Sequence, residues 1–167
     1  MLGRRKWLGC SLVLLAITGL FLVSPVAGQP RGTGVMAEDV YTPIAKGYDL
    51  LRDGKYDAAK YDFEQALKAD RYNPFALNNL AVLTEREGKL REALAYLKDA
   101  STHAADYKDK VEQTCFVGGG CTAVKPVRVA GPNSTIGPII QENTKRLEEE
   151  IAKQKTPPSP GSPPPMK

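Results

Sequence analysis

An all-α fold, an antiparallel helix-pair solenoid, is the class this sequence predicts, and three observations lead there. The middle of the chain repeats itself: Arg52-Asp53-Gly54-Lys55 maps onto Arg86-Glu87-Gly88-Lys89 at an offset of 34 residues. The same offset brings Gly47 to Ala81, Tyr56 to Leu90, Ala59 to Ala93, Phe63 to Leu97 and Ala66 to Ala100. Gly54 and Gly88 suit the positive φ that stops one helix and turns the chain into the next. Ala59, Phe63, Ala66 and Leu67 fall on one helical stripe, the spacing of a buried face.

The first 28 residues are predicted to lie outside that fold. A cationic start, MLGRRKW, precedes an apolar run from Leu12 to Val23 and then the small residues SPVAG. This is the build of a secretory signal. Cleavage after Gly28 is the first choice and after Ala27 the second, with an uncleaved anchor as the competing reading, since residues 7–27 are about long enough to span a bilayer. The chain is therefore expected to be exported, periplasmic or secreted, and to meet a membrane only if that segment is retained. Cys10 precedes most of the apolar run, the wrong place for lipid attachment, and reads as a small hydrophobe. Three of the 23 basic residues (Arg4, Arg5 and Lys6) lie in this segment, and all 19 acids follow it. What remains is nearly neutral, without the basic stripe that nucleic acid requires.

A flexible lead-in, 29–39, is expected before two helix pairs at about 40–73 and 74–107. Small residues at Gly47 or Ala81 and at Ala59 or Ala93 let paired helices approach closely. Asn73-Pro74 opens the third helix, with proline where no amide donor is needed. Residues 108–135 are expected to be an irregular insertion, with a CFVGGGC loop and an alternating run, AVKPVRV. That run alternates as a short strand or hairpin does, and Pro126 confines any such strand to an edge. Two units fall short of the roughly three that a solenoid needs. Residues 136–154 supply a capping helix or degenerate third unit, with Ile136, Ile139, Ile140, Leu147 and Ile151 on one stripe and Glu149 one turn from Lys153. Pro138 followed by Asn143 echoes Pro74 followed by Asn79, and the glutamates 148–150 read as a solvated face. The tail, 155–167, is proline-rich and expected to be a disordered spacer, with PxxP spacings (Pro157 with Pro160, Pro160 with Pro163) that an aromatic groove would accept.

The period and these positions resemble the tetratricopeptide repeat family. The second unit carries Leu77, Leu80, Ala81, Gly88, Ala93, Leu97 and Ala100 in place. The first keeps Gly47, Leu50, Gly54, Tyr56, Ala59, Phe63 and Ala66. It departs at Pro43, where an aromatic is usual, and at Lys46, where a leucine is usual; Pro74 falls three residues later than the family's closing proline. The resemblance implies a concave groove lined by the first helix of each unit. By position, that lining is Tyr41, Ile44 and Tyr48, then Phe75, Asn78, Asn79, Val82 and Arg86. Tyr48, Asn78 and Arg86 are the positions least explained by helix packing alone. Aromatic rings there offer contact area, and asparagines bond a peptide backbone in both directions. The family's clamp for chaperone C-termini needs a lysine and an asparagine from the first unit. Ile44 and Tyr48 stand there instead, so that ligand is not expected.

The chemistry-bearing residues are few. With Cys10 gone, Cys115 and Cys121 form an even pair in an oxidising compartment, expected to be a structural disulfide stabilising by about 2 kcal/mol. The rival is a redox-active pair, against which stands the absence of the CxxC spacing at a helix start. Two thiols without nearby histidine are half a zinc site, so no metal is expected. The glycine triplet lacks the Gly-Lys-Ser/Thr of a phosphate loop, and His103, the only histidine, has no positioned nucleophile. Asn133-Ser134-Thr135 is a sequon only where secreted proteins are glycosylated. No carboxylates are paired for acid–base work. The expectation is a non-enzymatic, cofactor-free adaptor or assembly factor that binds a protein or peptide segment. A thiol–disulfide redox protein and a membrane-anchored tether are the alternatives.

Overall fold

A computed structural model describes residues 35–118 and 120–155. The expected signal segment and the proline-rich tail beyond residue 155 lie outside the described residues. The first pair is α1 (Glu38–Arg52) and α2 (Tyr56–Ala69), the second α3 (Pro74–Arg86) and α4 (Leu90–His103). Both pairs turn by the same device. Gly54 at φ +77° and Gly88 at φ +79° take the left-handed conformation after the helix. The next amide then reaches back to an orphan carbonyl, Lys55 N to Leu50 O at 2.8 Å and Lys89 N to Thr84 O at 3.1 Å. The pairing of α1 with α2 is close because Gly47 has no side chain. A Cβ there would lie 2.6 Å from Cε1 of the buried Phe63 ring. Asn73 caps α3 by accepting from Phe75 N at 3.0 Å and Ala76 N at 3.2 Å, with Pro74 at the first helical position.

A single 3-10 turn, Ala104–Asp106, leads out of α4 into residues expected to be irregular. Here the all-α expectation is corrected. β1 (Asp109–Phe116) and β2 (Thr122–Ala130) form an antiparallel two-stranded sheet. Their register pairs Cys115 with Ala123 and Phe116 with Thr122, and irregularities fall between Asp109 and Lys110 and between Val111 and Gln113. At its base Gly131 N bonds Lys108 O at 2.8 Å, and the Thr135 hydroxyl accepts from Val111 N at 2.8 Å.

α5 (Gly137–Lys155) then packs against α4. Ser134 Oγ accepts from Gly137 N at its start. Ile136, Ile140 and Leu147 are fully buried, Ile139 and Ile151 partly so. Residues Gln141, Glu142, Lys145 and Glu148–Glu150 are exposed, so this helix leaves no apolar face for a further one. One core runs through the helices and hairpin, and α3 lies at its centre, with every residue from Pro74 to Thr84 buried.

Candidate functional site

The inner face shared by α1, α3 and α5 holds an extended segment, and that segment is the chain's own β2. Strand β2 packs on α3 and α1. Asn79 on α3 reads both backbone groups of one residue: its Nδ2 donates to Val124 O at 2.8 Å, and its Oδ1 accepts from Val124 N at 2.8 Å. Two residues back along the strand, Asn143 on α5 repeats the pattern, accepting from Thr122 N at 2.7 Å and donating to Thr122 O at 3.0 Å. Asn78 also donates to Thr122 O, at 2.9 Å, and accepts from Asn143 Nδ2 at 2.8 Å. All three asparagines are buried, at 0, 0 and 1% exposure for 78, 79 and 143. A strand's outward peptide groups recur every second residue, so asparagines facing residues 122 and 124 seal the edge of β2 that β1 leaves open. Pro126, buried, comes next on that edge and has no N–H to seal.

Charged groups fasten the rest of the hairpin. At the tip, the largely buried Glu85 carboxylate accepts from Gly120 N at 3.0 Å and Cys121 N at 2.8 Å, and Arg146 lies 3.5 Å from it. Midway, Lys125 Nζ donates to both oxygens of Asp49, at 3.0 and 2.9 Å. At the base, buried Asp109 accepts from Met36 N at 3.0 Å, while Arg128 bonds Met36 O at 2.9 Å and pairs with Glu38.

The residues predicted to line the groove are not all together. Ile44, Tyr48, Phe75, Asn78, Asn79 and Val82 are buried at 1% exposure or less, the asparagines directly under β2. Tyr41 is half-buried, with Arg128 5.9 Å above its ring. Arg86 is exposed at the end of α3 and stacks on Tyr56 of α2 at 3.6 Å, so it belongs to the helix-pair corner. Asn143, Glu85, Asp49 and Lys125 were not among the predicted groove residues. For Asn143 a signal existed, since its spacing from Pro138 copies that of Asn79 from Pro74.

The expected disulfide is also corrected. Cys115 and Cys121 are free thiols. Cys115 projects from β1 toward the Tyr48 hydroxyl of α1, whereas Cys121 Sγ lies 3.7 Å from Asn143 O on α5, so the pair is divided between two helices. Burial pushes the Cys121 thiol up to about 12, with Arg146 only partly opposing it. Burial also raises Cys115, against smaller downward pulls from Tyr48 and Arg52. Raised thiols are protonated and poorly nucleophilic, the opposite of a redox-active pair. His103 packs its ring on Tyr72 at 4.5 Å. Among the described residues no group of histidines, cysteines and carboxylates is placed to hold a metal, and no helix is long and apolar enough to cross a membrane.

Compared with known proteins, the chain matches no family model, and no curated protein or solved structure is significantly similar to it.

Proposed function

We propose that this chain is a non-enzymatic adaptor or assembly factor of tetratricopeptide type, exported to the cell envelope or the secreted space. It holds an extended segment of a protein partner along the inner face of α1, α3 and α5. The observation that carries this reading is the bidentate pairing of Asn79 with the backbone of Val124, repeated by Asn143 with Thr122. These side chains recognise extended backbone whatever its sequence, and they serve a strand from another chain as well as one from this chain. The raised Cys115 and Cys121 thiols argue against the redox alternative.

The test is crosslinking capture from native envelope extract with the wild-type protein and a Tyr41→Ala, Asp49→Ala variant. Both positions sit at the half-exposed rim of the face, so the helical core is left intact, which circular dichroism checks. The variant is expected to lose the partner that wild type captures. Retention of the same partner at the same yield refutes the reading.

A further inference from the structure

The groove is already filled, and the manner of its filling says what else fits. We propose that β2 stands in for the partner, and that the segment replacing it carries β2's own pattern: a small residue, a β-branched residue, a cation and a proline in succession. The proposal rests on the adaptor reading and deepens it by naming the chemistry of the bound segment.

Each position of the pattern has a physical cause. Ala123 is fully buried, which admits only a small side chain. Val124 is fully buried between the helices while Asn79 holds its backbone, a place for a β-branched residue already favouring the extended conformation. Lys125 is only 17% exposed in its side chain and is neutralised by Asp49 at 2.9 Å, so a cation is favoured there and an anion is repelled. At Pro126, which is buried, the outward edge carries no N–H, so this position needs no acceptor from the helices and suits a proline.

The proposal requires the hairpin to lift away while the helix pairs stay formed. The contacts holding α1 to α2 and α3 to α4, Gly47 against Phe63 and the buried Ala59, Ala93, Leu97 and Ala100, do not pass through it. At the tip, Gly118 takes φ +57° in open space, and Gly120 lies close under Arg146. Strand β1 lies on the outside, with Lys110, Glu112, Gln113, Thr114 and Phe116 exposed. While the hairpin is seated, a partner's apparent affinity falls by the fraction of molecules with an open groove. The occupied groove is thus a threshold that only a well-matched segment passes.

The experiment uses the full-length protein and a fluorescein-labelled peptide with the nine-residue sequence of β2, residues 122–130. Val124→Ala in the protein weakens the seated strand by trimming its contact with α1 and α3, while every helix residue is unchanged. Fluorescence anisotropy is expected to show the peptide binding this variant at least ~10-fold more tightly than wild type, as its larger open fraction requires. A peptide carrying the Lys125→Glu change is expected to lose about tenfold in affinity. No binding to the variant, equal binding to both proteins, or indifference to the lysine overturns the proposal. Hydrogen exchange on wild type tests it without any variant. The Thr122 and Val124 amides should exchange at least ~100-fold faster than that of Leu80 in α3, because the hairpin opens locally. Exchange only in step with Leu80 means that the hairpin never leaves, and the proposal fails. If the peptide fails while capture still depends on Tyr41 and Asp49, this inference falls and the adaptor reading stands. If the peptide binds but capture ignores those residues, the adaptor reading falls.

Discussion

Replacing Asn79 by alanine is the sharpest probe of how the hairpin is held. The side chain is fully buried, as is Val124, and its amide makes one donated and one accepted bond of 2.8 Å to that residue's backbone. Truncation leaves a peptide N–H and a peptide C=O buried without partners. Each such group costs about 1–3 kcal/mol, because no water replaces the lost bond. The expected destabilisation is about 3 kcal/mol. Asn143→Ala is the internal control. It too removes two bonds to the strand, but Thr122 is only partly buried, and Asn78 still donates to its carbonyl at 2.9 Å. Water can serve the remaining N–H, so the expected loss is about 1–2 kcal/mol. Urea unfolding followed by circular dichroism gives both values from the midpoint shift at constant slope. A loss below about 1 kcal/mol for Asn79→Ala, or a larger loss for Asn143→Ala, refutes the view that these asparagines seal a dry strand edge.

Three further outcomes follow from the same structure. Gly47→Ala should cost about 1–3 kcal/mol in a thermal melt, since the new Cβ meets the fully buried Phe63 ring at 2.6 Å and the ring has nowhere to turn. Gly88→Ala should cost only about 1 kcal/mol, because φ is +79° but nothing lies within 4 Å of the new methyl group. For Cys121, whose thiol is raised from 9.0 to about 12, the folded state holds its proton more tightly than the unfolded state. The contribution is complete below pH 9 and is lost as pH rises toward 12, at about 1 kcal/mol per pH unit. Melts of wild type and Cys121→Ala should therefore converge between pH 9 and 11; parallel curves contradict the burial of a protonated thiol.

The helix pairs were legible because their causes are local. Gly54 and Gly88 announce the turns, Asn73-Pro74 announces a capped start, and the 34-residue offset aligns the small residues that let helices touch. The hairpin was only half legible. Its second strand is buried at Ala123, Val124 and Pro126 rather than on one face alone, which blurs the alternation that marks a half-buried strand, and Pro126 reads as a breaker until its edge position is known. Its partners lie 36 to 76 residues away in Glu85, Asn79 and Asp49, a distance that no local pattern encodes. The cysteines misled for the same reason. A short glycine-rich loop between two thiols suggests a ring, whereas the register sends one thiol to α1 and the other to α5.

The occupied face also accounts for how two helix pairs hold together. Two helix pairs expose the inner faces of α1 and α3, and on α3 those residues include Phe75, Asn78, Asn79 and Val82, none more than 1% exposed in the folded chain. Helix α5 reaches Asn78 only through Asn143, and the remaining polar groups of Asn78 and Asn79 are met by β2. Strand β2 supplies the missing layer and brings its own backbone donors and acceptors into a dry site, where only the asparagines can satisfy them. The asparagines that satisfy β2 are therefore part of what holds the fold, and under the proposed adaptor reading a partner segment would have to replace the bonds that the hairpin already makes.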